Sequence, residues 1–310
     1  MAPGLSRLPR LSTAGTPRRC QGRRAWSPAR LAGWLASIAL LPSGAALAAP
    51  QALRPAQPGS KGSLGLPKAP RPATPVECSA PRPGRYVVMG DGVAQNEPVA
   101  RILQETWNPD GTINGIRLER RGHAYREAAY TGRYRSLSLC RAGIERSYET
   151  HTSQSQAVLD AAGRPRYSLG TLPEVVVVSR WFTQREGACS ASLLDGTVLS
   201  KQQGRSWRDG QWRPNAVIQN ERWRAGTVLG IAISSYGPSI EEATYSGTIS
   251  VGADCLATVK EQDSLGVTYN YRAVLLADGS GYLYLQTDPD DITVGYLEHQ
   301  RAREAAPQLR

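Results

Sequence analysis

The chain has 310 residues and a formal net charge of +11, from 37 basic and 26 acidic side chains. Seven of the basic residues and no acids fall within the first 48 positions, which leaves 30 basic against 26 acidic residues in the remainder. That near balance excludes the basic excess of a nucleic-acid binder, and no apolar run beyond the leader is long enough to cross a bilayer as a helix.

Residues 1–48 read as an export signal. Arginines from Arg7 to Arg30 precede an apolar stretch, Leu31 to Leu41, which Pro42, Ser43 and Gly44 break; Ala46-Leu47-Ala48 then offers small residues for cleavage. The apolar run is too short for a membrane anchor, so a secreted or periplasmic protein is expected. The Arg23-Arg24 pair leaves the general and the twin-arginine routes both open. Residues 49–77 hold seven prolines among Gly, Ser, Ala and Lys and almost nothing to bury. They are expected to form an extended, disordered tether.

From Cys78 onward one pattern is written twice. Cys78-Ser79-Ala80 recurs as Cys189-Ser190-Ala191, and Tyr130-Thr131-Gly132 with Cys140 recurs as Tyr245-Ser246-Gly247 with Cys255. Shifting residues 111–142 by 115 positions gives eleven identities in 32 without a gap, against about two expected from average composition. A one-residue slip then places Ala157-Val158-Leu159 on Ala273-Val274-Leu275, and Glu105-Thr106-Trp107 matches Glu221-Arg222-Trp223. Two homologous domains follow, residues 78–188 and 189–310, with the least certain match between Cys189 and Trp223. With Cys20 removed in the leader, four cysteines remain. The repeat selects one bridge per domain, Cys78–Cys140 and Cys189–Cys255. Their scatter does not suit a zinc site, and no cofactor is expected.

Almost every segment after Cys78 reads as strand or turn. Val267, Tyr269, Tyr271, Ala273 and Leu275 alternate with Thr268, Asn270 and Arg272. Asp278-Gly279-Ser280-Gly281 turns the chain into Tyr282-Leu283-Tyr284-Leu285, and the Asp288 to Asp291 turn leads into a last strand. With no sustained helical spacing, the expected class is all-β: two tandem antiparallel barrels or sandwiches of seven or eight strands each. The stretch from Tyr245-Ser246-Gly247 to Asp254-Cys255, with the Thr287-Asp288-Pro289 turn, resembles a group of exported bacterial β-proteins of unassigned role. Their shape is similar to lipocalin and allene-oxide-cyclase barrels. The resemblance implies a fold and carries no catalytic residue across.

No constellation in the sequence marks an active site. His123, His151 and His299 have no equivalents in the other copy, and no nucleophile elbow or His-Glu-x-x-His pair occurs. The Asp288, Asp290 and Asp291 cluster is explained by a turn, and Glu127 and Glu242 stand either as acids inside a barrel or as polar strand ends. The inward parity of the central strand, with Tyr130, Gly132, Tyr134 and Ser136 in copy one, lines either a packed interior or a partly polar cavity. On the opposite parity Arg133, Arg135 and Arg141 form a basic face of copy one. Trp207 and Trp212, in a segment of copy two without a counterpart, are the candidate contact residues. The expected function is a non-catalytic, exported tandem β-protein that binds a small molecule or an envelope or extracellular partner. A barrel enzyme of cyclase or isomerase type and a structural envelope component are the alternatives.

Overall fold

The structure, a computed structural model, describes residues 77–300 apart from Pro238. The expected leader and all of the tether but Glu77 lie outside the described residues. Copy one supplies β1 (Gly84–Ala94), β2 (Glu97–Trp107), β3 (Thr112–Arg121), β4 (Ala124–Leu137), β5 (Arg141–Ser147), β6 (Thr152–Leu159), β7 (Pro165–Gly170) and β8 (Val175–Gln184). Each strand pairs antiparallel with the next, and β8 closes on β1. Copy two repeats this with β9 (Gly196–Arg208), β10 (Gln211–Arg224), β11 (Thr227–Ser235), β12 (Ile240–Val251), β13 (Leu256–Asp263), β14 (Thr268–Leu275), β15 (Gly281–Gln286) and β16 (Asp291–Gln300). There β16 closes on β9. Each copy is thus a closed up-and-down barrel, and the described residues contain no α-helix.

Closure needs a close approach of strands, and glycine supplies it at the same point twice. A Cβ on Gly92 would lie 1.9 Å from the Val176 carbonyl oxygen, and one on Gly204 would lie 2.2 Å from that of Ile292. Gly92 also sits at φ +155°, which other residues rarely adopt.

The two barrels differ mainly in their first hairpin. Gly84 pairs with Trp107 and Gly196 with Trp223, but the first hairpin ends at the pair Ala94–Glu97. The equivalent pair in copy two is Ser206–Arg213, beyond which Trp207–Trp212 and Arg208–Gln211 extend the ladder. The segment around Trp207 and Trp212 is therefore a longer hairpin tip. In both copies the cysteines approach as expected, with Cα–Cα distances of 5.6 Å for Cys78–Cys140 and 4.9 Å for Cys189–Cys255.

Inward side chains form one apolar core per barrel, around Trp107 and Trp181 in the first and Trp223 and Leu275 in the second. A third core lies between the barrels. Val87, Ala100, Ile102 and Leu118, on the outer face of β1–β3, pack against Val274, Leu283, Leu285, Ile292 and Val294 on the outer face of β14–β16. Strand β15 is consequently buried on both faces, which explains its unbroken apolar run. Polar contacts rim this core. Glu127 takes Arg272 at 2.9 and 3.1 Å, Gln184 donates to the Leu275 carbonyl at 2.8 Å, and Gln104 donates to that of Asp254 at 2.8 Å. Glu127 therefore points outward and joins the barrels, which settles the open question of its place.

Leu285 and Leu169 hold equivalent positions, one in this interface and one exposed. Leu285→Ala is expected to cost about 2–5 kcal/mol, and Leu169→Ala about 0.5 kcal/mol or less, as measured by denaturant unfolding at low protein concentration.

Candidate functional site

The residues that define the repeat meet in the middle of each barrel. The Glu105 carboxylate accepts hydrogen bonds from Trp107 Nε1 at 2.9 Å and from the Tyr130 hydroxyl at 2.6 Å. Glu221 accepts from Trp223 Nε1 at 2.7 Å and from Tyr245 at 3.0 Å, and also from Tyr282 at 2.9 Å. The tyrosine rings lie over Gly115 and Gly230, where a Cβ would come within 2.6 and 2.4 Å of the ring. The repeated Glu-x-Trp, Gly-Ile and Tyr-x-Gly fragments are therefore one buried hydrogen-bonded cluster, built twice.

The two clusters differ in what faces the glutamate across the barrel. In the first, Arg146 Nε donates to Glu105 and its Nη1 donates to Ser155 at 3.0 Å. Burial alone would lower the Arg146 pKa, but Glu105 beside it more than offsets this and raises it. Arg146 pairs with Gly132, as Glu261 pairs with Gly247, so Glu261 stands where the arginine does in the first barrel. Burial, then the neighbouring Glu221, pushes the Glu261 carboxyl well up. Burial also raises Glu221, partly offset by its three hydrogen-bond donors. Two buried carboxyls here lie close enough to interact, with no cation beside them among the described residues, which favours keeping a proton on the pair.

The same substitutions open one barrel and fill the other. Ser155 and Gly170 occupy in barrel one the places of Tyr271 and Gln286 in barrel two. Barrel one holds a cavity of about 740 Å³, with an open mouth. Its counterpart in barrel two is about 60 Å³, room for water molecules only.

The barrel-one cavity has two unlike walls. Arg101, Arg117, Arg121, Arg126 and Arg146 project into it, while Val99, Val175, Val177 and Leu172 supply apolar surface. Several of the arginines have partners. Arg121 holds Glu97 at 2.9 Å. Arg117 lies 3.6 Å from Glu119 and over the Tyr148 ring at 3.8 Å, with His151 Nε2 at 3.2 Å. Burial and the adjacent Arg117 lower the His151 pKa. Arg101 faces Glu119 across the β2–β3 pair. Its Nε, like that of Arg117, is buried without a hydrogen-bond partner among the described residues, and burial, then the charge of Arg146, lowers its pKa. The guanidinium stays a cation, and its buried, unsatisfied N–H favours an incoming anion.

These inward arginines are not the ones singled out from sequence. Arg133, Arg135 and Arg141 lie outside the barrel. Arg133 and Arg135 border a groove with Asp110 and Glu145, and Arg141 bonds the Ser138 carbonyl at 3.1 Å and Gln156 at 3.2 Å. Trp207 and Trp212 pack on each other at 5.3 Å and close around His123 of the first barrel, at 4.8 and 4.9 Å. His123 in turn bonds the Pro289 carbonyl at 3.0 Å. The tryptophan pair thus clasps the barrels together, although the Trp207 ring keeps an exposed edge. The parity of β3, with Arg117, Glu119 and Arg121 in step with Ile113, carried the signal for the inward arginines.

Comparison with known proteins adds little. No family model matches the chain, and no curated protein matches it. The crystal structure of a protein of unknown function from the DUF3598 family of Nostoc punctiforme is similar, at 10% identity over 71% of this chain and 96% of that chain, with a TM-score of 0.22. At that score no argument is carried across, and the fold rests on the strand pairing.

Two outcomes follow from this geometry. Because folding raises the Glu261 pKa, the folded state holds a proton that the unfolded chain releases above the ordinary carboxylate range. Stability should fall as pH rises from about 5 toward the raised value, and Glu261→Gln should remove up to about 1.4 kcal/mol per pH unit of that slope in urea titrations. Trp207→Ala with Trp212→Ala should lower stability by roughly 1–3 kcal/mol, as read by thermal melting.

Proposed function

We propose that this is an exported, non-catalytic tandem-barrel protein whose first barrel binds a small organic anion with an apolar body. The observation that carries the reading is Arg101, a half-buried cation whose Nε is buried and unsatisfied among the described residues, on the wall of a cavity of about 740 Å³. The size lies within the range of small-molecule sites. The basic wall on β2–β4 would take a carboxylate, phosphate or sulfate, and the valines of β2 and β8 would take the apolar part. Among the described residues no helix is long and apolar enough to cross a membrane, and the two disulfides suit an oxidising compartment. The disulfides support export.

An isomerase-type reading would rest on Glu261, a buried carboxyl among Tyr271, Tyr284 and Tyr282. The two spaces beside it are about 10 and 60 Å³, which leaves no room for a substrate carbon skeleton. The binding reading is therefore preferred.

Isothermal titration with 2-naphthoate and 2-naphthol tests it, since the two differ chiefly in charge. Naphthoate should bind one site per chain and naphthol at least about tenfold more weakly, as expected for a charge-assisted contact. Arg101→Met should remove the difference. Equal affinity for both probes, or an undiminished preference in the variant, would contradict the assignment.

A further inference from the structure

We propose that the chain associates with further copies of itself head to tail, repeating between molecules the sheet-on-sheet contact that joins its own barrels. The internal contact uses two unlike faces, the outer side of β1–β3 from copy one and that of β14–β16 from copy two. Duplication means that each face exists a second time. The second versions lie on β6–β8 of copy one and, with the flanking strand, on β9–β12 of copy two, and none of the described residues covers either.

Those faces have kept most of the apolar residues of the interface, although Lys201, opposite Ile218, stands where Met89 pairs with Ile102. The pairing registers place Val158, Tyr167, Leu169, Val176 and Val178 where Val274, Leu283, Leu285, Ile292 and Val294 stand in the other barrel. All five are apolar, yet they are exposed by 48 to 67%. Likewise Ile218, Ile233 and Ile240 replace Ile102, Leu118 and Tyr125, at 55, 41 and 77% exposure. A sheet face that only meets water carries polar residues at alternate positions. Two contiguous apolar faces with the composition of a buried interface are expected of a surface that is covered. Their counterparts in this same molecule show which surface fits each of them.

Charge points the same way. Glu127, which holds Arg272 across the internal interface, has Glu242 as its equivalent on the free face of copy two. On the free face of copy one Gln156 replaces Arg272, but the adjacent Arg141 bonds that glutamine at 3.2 Å and stands where copy two has Leu256. Glu242 of one molecule would therefore meet Arg141 of the next. Copy one, residues 78–188, carries 15 basic and 11 acidic residues, and copy two, residues 189–310, carries 11 and 14, so unlike domains attract. Such a contact is heterologous, and it generates a ring where the rotation closes and a filament where it does not.

Sedimentation velocity on the purified protein, from low to high micromolar concentration, tests this. The weight-average mass should rise to at least twice that of one chain. Val178→Asp, on the first free face, and Ile218→Asp, on the second, should each hold the protein monomeric. An equimolar mixture of the two variants should form a one-to-one complex and nothing larger, because one intact face of each kind remains. A wild-type protein that stays monomeric throughout, a single variant that still associates, or a mixture that stays monomeric would overturn the proposal. Where either variant fails to fold, Leu169→Lys and Ile240→Lys carry the same expectations at sites that are also exposed to solvent.

Discussion

A carboxylate placed in the middle of a small barrel must be paired, hydrogen-bonded or neutralised, and the rest of this protein is arranged around that requirement. Glu105 and Glu221 each take an indole N–H and a tyrosine hydroxyl from the repeated motif. Glycines stand at Gly115 and Gly230 because the tyrosine ring occupies the space of a side chain. The motif is thus a device for satisfying one buried acid, which is why its parts recur at fixed spacing in both copies.

The duplicated barrels answer the remaining charge in opposite ways. Arg146 neutralises Glu105 as an ion pair, and the arginine-rich, small-residue interior around it stays open. In the second barrel Glu261 takes that place, and tyrosines pack around an acid whose pKa burial and the adjacent Glu221 push well up. One ancestral scaffold has therefore become a cavity in one half and a filled support in the other. Outside, apolar faces persist even where none of the described residues covers them.

Much of the fold was legible because the repeat is a geometric statement. It ordered the cysteines into one pair per domain, and the alternation from Val267 to Leu275 marked the β14–β15 meander. Choosing between barrel and sandwich depended on whether β8 returns to β1, a non-local pairing that no local pattern encodes. The Trp207 and Trp212 pair was visible as an addition, but its role depended on His123, more than eighty residues earlier in the chain. The arginine cavity was missed for a different reason. Arg117 and Arg121 sit in step with core residues of β3, yet charged residues in a strand read by default as its solvated face. Only the small residues on the opposite wall, Ser155 and Gly170, make room for them.

The contrast between an ion-paired and a protonated interior can be read directly from the carboxyl-stretch region of the infrared spectrum at neutral pH. The account predicts a band from a protonated, solvent-shielded carboxylic acid that persists in Arg146→Met and disappears in Glu261→Gln. Absence of any such band in the wild-type protein, or its survival in Glu261→Gln, would contradict the assignment of opposite charge solutions to the two barrels.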